Sequence, residues 1–230
     1  MILNNCFSNK YEEYFAKKIH LLEQAYFLET EIPGITVRNY VDRAFEDEEI
    51  VAKRLNKGIV DEVVVAWKAG RIKNGIIEML DGNYLDGYGR QIDKIKMDTY
   101  LEIVSNVCSE CEWYPENFSK IYEKVINAAP IPNFFGVVYI INLIYFMSRQ
   151  KLPIYDKYAH KALKSLFMGK KPSEVYVGSA PDDKMKIEEV TAMYMEYIWL
   201  LEKTIGVYSI DRKIDRALWT YGHADSSWNL

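Results

Sequence analysis

The chain has 230 residues, 49% of them apolar and 27% charged, with a formal net charge of −4; that balance excludes disorder and collagen-like repeats and describes a soluble globular protein of one or two domains. With 7 Pro and 12 Gly, a multi-stranded sandwich, which needs a turn every ~8–12 residues, is disfavoured and long helices are expected. Three cysteines, Cys6, Cys108 and Cys111, are too few and too unevenly spaced for a disulfide framework and point to a reducing, cytoplasmic setting, and the opening MILNNCFSNKYEEYF lacks the basic start and apolar run of a secretory or transit segment.

Taken in chain order, the apolar spacing is helical nearly everywhere. From Tyr11 to Glu29 the residues Tyr14, Phe15, Ile19, Leu22 and Tyr26 form one stripe, and the same period predicts a helix over Val37–Leu55. Around Ile59–Ala69 the run GIVDEVVVAWKAG reads as helix or as strand, because its valines argue against its period. The segment DGNYLDGYGR, Asp81 to Arg90, carries turn chemistry. Within it Gly87-Tyr88-Gly89 follows no clear strand and lacks the rest of a dinucleotide or phosphate-loop fingerprint, so it reads as a surface turn. Helices are predicted next at Ile92–Val107 and Phe118–Ala128, then at Gly136–Ser148, Asp156–Phe167, Met185–Lys203 and Asp211–Trp219. The most membrane-like stretch, Phe134 to Met147, is about 14 residues long and interrupted by Asn142. A spanning helix needs ~20 residues, so this one is expected to be central and buried. Residues 1–230 read as one compact all-α unit, with Asp81–Arg90 and Lys170–Asp183 as links between helical blocks.

Charge is distributed unevenly. Lys157, Lys161, Lys164, Lys170 and Lys171 occur without an acidic residue between Lys157 and Ser173, and positions 157, 161 and 164 share a helical face. Lys53, Arg54, Lys57, Lys68, Arg71 and Lys73 make a second basic stretch, while acids gather at Glu46–Glu49 and Glu188–Glu202. A basic side and an acidic side are therefore expected. Such a patch suits a phosphate backbone, and it reads equally as an ordinary solvated lysine face.

The run from Ala129 to Leu166, APIPNFFGVVYIINLIYFMSRQKLPIYDKYAHKALKSL, orders a helix end, a turn around Pro132–Gly136, a buried helix, Pro153, and Asp156 at the start of the lysine-striped helix. This order resembles the helix-hairpin-helix superfamily of base-excision DNA glycosylases, most closely the branch with an 8-oxoguanine-glycosylase fold. WKAGR at Trp67–Arg71, the Gly-Tyr-Gly-Arg ending at Arg90, PIYD at Pro153–Asp156 and IDRALWTYG at Ile214–Gly222 are similar to segments of bacterial proteins of that fold, and together they span roughly residues 60 to 222. In the family a hairpin leads to a buried helix, and a Pro-x-Asp or Pro-x-x-Asp segment then places the catalytic aspartate about 25 residues on; Ile131 to Asp156 has that spacing. The resemblance implies an all-α helical bundle, one unit or two helical subdomains flanking a DNA cleft. It also implies a monomeric, cytoplasmic enzyme with DNA as partner, no membrane, no metal and no cofactor.

Two departures qualify what the resemblance implies. The stretch Pro132-Asn133-Phe134-Phe135-Gly136 has one glycine where the typical hairpin has two to admit a DNA phosphate. Val137 and Val138 stand where bifunctional members carry a lysine nucleophile, so the expected chemistry is monofunctional, leaving an intact abasic strand. Oxidised purines follow from the resemblance, and the departures leave room for an unusual modified base, including one in phage DNA.

Cleaving an N-glycosidic bond builds positive charge on the sugar, and a fixed carboxylate stabilises it while orienting or deprotonating water. Asp156 is the candidate for this catalytic role. It also reads as a helix N-cap, and the two roles are compatible. A base flipped out of the duplex needs aromatic walls and polar readers; Trp67, Tyr155 and Tyr158 are the candidate walls and Lys68 a substrate contact. Lys68 reads otherwise as a lysine snorkelling beside a core Trp, and the remaining amine-nucleophile role is the weaker one. The candidate DNA contacts are Asn133, Phe134, Phe135 and Gly136 at the hairpin, Arg71, and Lys157, His160, Lys161, Lys164, Lys170 and Lys171. Phe134 and Phe135 read first as core and second as wedges, and His160 first as solvent-facing. Trp219 reads as core. The histidines His20, His160 and His223 are scattered, and Cys108 and Cys111 lack further ligands for zinc, so the pair reads as small buried hydrophobes. The alternatives are a catalytically silent DNA-binding protein on the same fold and a helical protein-interaction module.

Overall fold

A computed structural model describes residues 31–32, 35–36, 72–73, 76–77, 79–85, 91–131, 135–208 and 212–223. The predicted helices Tyr11–Glu29 and Val37–Leu55 and the ambiguous segment Ile59–Ala69 lie outside the described residues. Six helices dominate what is described: α1 (Lys94–Val107), α2 (Phe118–Asn127), α3 (Val137–Met147), α4 (Lys157–Met168), α5 (Ile187–Ile205) and α6 (Arg212–His223). Each lies where the apolar period predicts one, with ends moved by at most four residues.

The helix ends have identifiable causes. Asp93 caps α1, its carboxylate accepting from the Lys96 N–H at 3.0 Å. That bond also lowers the pKa of this exposed carboxyl. A single 3₁₀ turn, Pro115–Asn117, leads into α2. Helix α4 begins at the Asp156 cap and stops at Gly169, whose φ of 63° is left-handed and therefore suited to glycine.

The all-α expectation is corrected at the strands. Short antiparallel pairs join β1 (Glu31–Ile32) to β2 (Ile35–Thr36) and β3 (Ile72–Lys73) to β4 (Ile76–Ile77), and a three-stranded sheet orders β5 (Met79–Leu80), β6 (Asn83–Leu85) and β7 (Gln91–Ile92). Its first turn is Asp81-Gly82, with φ of 52° and 78°. Positive φ at both central residues is the hairpin geometry that an Asp-Gly pair favours, and it sets Leu80 against Asn83 and Met79 against Tyr84. The expected loop Asp81–Arg90 thus begins as a hairpin, and a strand does precede the Gly87-Tyr88-Gly89 segment, which itself lies outside the described residues.

One apolar core runs from Tyr84 and Ile92 through all six helices to Leu218 and Tyr221. Helix α3 is its centre, with Ile140, Ile141 and Ile144 fully buried, as its strongly apolar sequence predicts. No helix among the described residues is long and apolar enough to cross a membrane. Helix α4 packs most extensively on α6 and then on α5, while Lys157 and Tyr158 in its first turn stay exposed.

Candidate functional site

Chain geometry at Asp156 follows from the segment that delivers it. After α3 the chain turns at Arg149 and Gln150, both in the left-handed region at φ of 51° and 66°, and comes back along the helix it has just left. Asn142, the one amide in the apolar run of α3, is buried and its Oδ1 accepts from the Tyr155 N–H at 3.2 Å. Tyr194 on α5 donates its hydroxyl to the Pro153 carbonyl at 2.6 Å. A buried polar side chain has to find a partner, and both of these find it in the backbone immediately before Asp156.

Asp156 itself is half-buried, and its Oδ1 accepts the Tyr158 N–H at 2.8 Å. The carboxylate is therefore fixed at the N-terminus of α4, the end where the helix dipole favours negative charge. The capping expectation is met.

Tyr155 and His160 are corrections. Tyr155 is 1% exposed and lies edge-on to Tyr197 with ring centroids 5.3 Å apart, so protein already occupies the faces a flipped base would use. Its hydroxyl sits 3.3 Å from His160 Nδ1, and burial holds its pKa above the usual tyrosine value. His160, expected at the surface and as a DNA contact, is likewise 1% exposed. Its Nε2 faces Glu196 Oε2 at 3.7 Å, beyond hydrogen-bond reach. Burial depresses the imidazole to a pKa of about 4 against the opposing pull of Glu196, which keeps it neutral at pH 7.

The basic face is real but thinner than expected. Lys157, Lys170 and Lys171 are exposed and Lys161 is partly so. Lys164, however, pairs with Glu196 at 3.0 Å. The acidic stretch on α5 therefore meets the lysine helix here, where the sequence suggests separate sides. Lys170 is held near the helix end by a hydrogen bond from Ser165 Oγ to its carbonyl.

Of the segment Pro132–Gly136, Phe135 is core, tilted against Tyr100 at 5.5 Å and edge-on to Tyr139 at the same distance, so the wedge reading is corrected for this residue. Gly136 is exposed and precedes α3 with an ordinary φ of −79°. A Cβ there would meet nothing within 4 Å, so the backbone does not demand glycine at that point. The first turn of α3 has no side-chain cap. Tyr158 is 40% exposed beside Asp156. Trp219 is half-buried. Asn133, Phe134, Trp67, Lys68 and Arg71, with His20 and the side chain of His223, lie outside the described residues. Among the described residues no three metal-ligating side chains gather.

Sequence reasoning missed Asn142, Tyr194, Glu196 and Gly222 as parts of this region. Gly222 on α6 is buried where α6 crosses the first turn of α4, and a Cβ on it would stand 1.9 Å from the Tyr158 carbonyl oxygen. Asn142 did carry a signal, since a lone amide in a buried apolar helix needs a hydrogen-bond partner. No protein-family model, no curated protein and no solved structure matches the chain.

Proposed function

We propose that the protein is a monofunctional DNA glycosylase, with a mostly helical, helix-hairpin-helix type of architecture, that hydrolyses the N-glycosidic bond of a damaged or modified base flipped from DNA. The observation that carries this reading is the fixed carboxylate of Asp156 at the N-terminus of α4, bordered by exposed Tyr158 and Lys157. A carboxylate anchored by the backbone can oppose oxocarbenium charge without having to reorganise, which is where electrostatic catalysis is strongest. Asp156 Oδ2 is left to face the sugar and water while Oδ1 caps the helix. Tyr158 offers a face to the extruded base, and Lys157, Lys161, Lys170 and Lys171 bind the phosphates around it. The first turn of α3, which no side chain caps, is a further phosphate contact.

Incubating the full chain with duplexes bearing oxidised purines or phage-type modified bases tests this directly. The expected result is release of free base, an intact abasic strand and no covalent adduct when borohydride is present, since Val137 and Val138 supply no amine. Base release from none of the duplexes, with salt-dependent DNA binding intact, would favour the second reading, a catalytically silent DNA-binding protein. That reading draws on the capping bond, which gives Asp156 a sufficient structural role.

A further inference from the structure

Cys108 and Cys111 bracket the turn that ends α1. The Cys108 N–H donates to the Val104 carbonyl at 3.0 Å, and the Cys111 N–H donates back to the Cys108 carbonyl at 3.1 Å. A bond between residues three apart closes a turn whose end Cα atoms lie within about 7 Å, the range a disulfide can bridge. Both thiols are free.

Their settings differ. Cys108 is 2% exposed within the core, whereas Cys111 is half-buried at its edge. Burial, with Cys111 alongside, pushes the Cys108 thiol up to about 12, so it keeps its proton. Lys124 on α2 reaches across to put its ammonium 4.0 Å from Cys111 Sγ. An ammonium at that distance can meet the negative charge that develops on the departing oxygen as a peroxide bond breaks.

We propose that Cys108 and Cys111 form a thiol–disulfide site oxidised by peroxides, with Cys111 as the attacking sulfur and Cys108 as the resolving one. Cys111 attacks one oxygen of hydrogen peroxide, the O–O bond breaks, and the departing hydroxide takes the thiol proton as water; the sulfur is oxidised to a sulfenic acid. The Cys108 sulfur then attacks that sulfur, an S–S bond forms, the S–O bond breaks, and the Cys108 proton leaves with the hydroxyl as a second water. Two thiols and one peroxide give one disulfide and two waters. A disulfide reductant reverses the change by thiol exchange.

The test is brief peroxide treatment of the reduced full chain, followed by alkylation and peptide mass analysis. Met97–Lys120, a single tryptic peptide, should lose two hydrogens and both alkylation sites, and dithiothreitol should restore them. Cys108→Ser should leave a dimedone-reactive sulfenic acid on Cys111, and Lys124→Gln should slow oxidation several-fold with the same product. Complete alkylation of both cysteines after peroxide would overturn the proposal. So would a disulfide to Cys6 in place of the Cys108–Cys111 bond, or an unchanged rate in Lys124→Gln.

Discussion

Helix α4 has two faces that use polar residues in opposite ways. On the inner face His160 and Tyr155, with Tyr194 and Tyr197 across from them, are buried together, and the hydroxyls of Tyr155 and Tyr194 are directed to His160 and to the Pro153 carbonyl. On the outer flank Lys157, Lys161 and the Asp156 terminus meet solvent. The difference teaches that aromatic and imidazole groups near a candidate site are here part of its foundation, while the charges at its rim face solvent. Glu196 sits on the boundary, pairing with outer Lys164 and facing inner His160.

The largest expected effect lies at the outer end. Asp156→Asn should slow base release by about 100-fold or more, because the amide still caps the helix but cannot balance positive charge on the sugar. Single-turnover rates beside a melting curve would separate the two roles; turnover like that of the unaltered protein would remove Asp156 from the chemistry.

The inner face should show itself in acid. Above the unfolded histidine value of 6.5 both states leave His160 neutral and nothing is lost. As pH falls from there towards about 4, the unfolded chain binds a proton that the buried imidazole does not, so stability declines. Below about 4 both states carry it and the loss levels off, at roughly 3 kcal/mol. Denaturant midpoints across this window, set against those of His160→Gln, should differ in slope, and parallel curves would contradict the burial argument.

A smaller effect is expected where α6 meets the start of α4. Gly222→Ala puts a methyl group 1.9 Å from the Tyr158 carbonyl oxygen, and overpacking of this kind costs about 1–3 kcal/mol. Alanine gains up to about 1 kcal/mol of helix propensity over glycine, so a net loss in melting temperature means the close approach dominates. A raised melting temperature would mean that the two helices are spaced more loosely.

The smallest effect sharpens the boundary itself. Lys161→Gln should flatten the salt dependence of DNA binding by just under one unit of slope. Lys164→Gln should change it far less, because its ammonium is already paired with Glu196. Equal changes in the two variants would show that the ion pair opens when DNA binds.

Much of this arrangement was legible beforehand, for reasons that can be located. The apolar stripe Ala159, Ala162, Leu163 and Leu166 fixes the inner side of α4, and the same helical arithmetic turns His160 inward, although its residue type suggested a surface role. The Asp156 cap was readable from residue type and position. The hairpin at Asp81-Gly82 was not, because strands of two or three residues are too short to display alternation. Contacts between distant residues were also hidden: Tyr194 reaches Pro153 across 41 positions, and nothing local to Gly222 says that it faces Tyr158. Packing against another element, rather than propensity, decides both.

The return segment before Asp156 has a consequence for how the molecule opens. Although Leu152–Tyr155 has no regular secondary structure, the Tyr155 amide is buried and donates to a side chain in the middle of α3, while Pro153 is tied to α5. Opening that amide to solvent requires parting two helices of the core. Its hydrogen should therefore exchange with deuterium at the pace of global unfolding, unlike a loop amide that exchanges through local fluctuation; the carboxylate next to it belongs, in thermodynamic terms, to the last part of the protein to come apart.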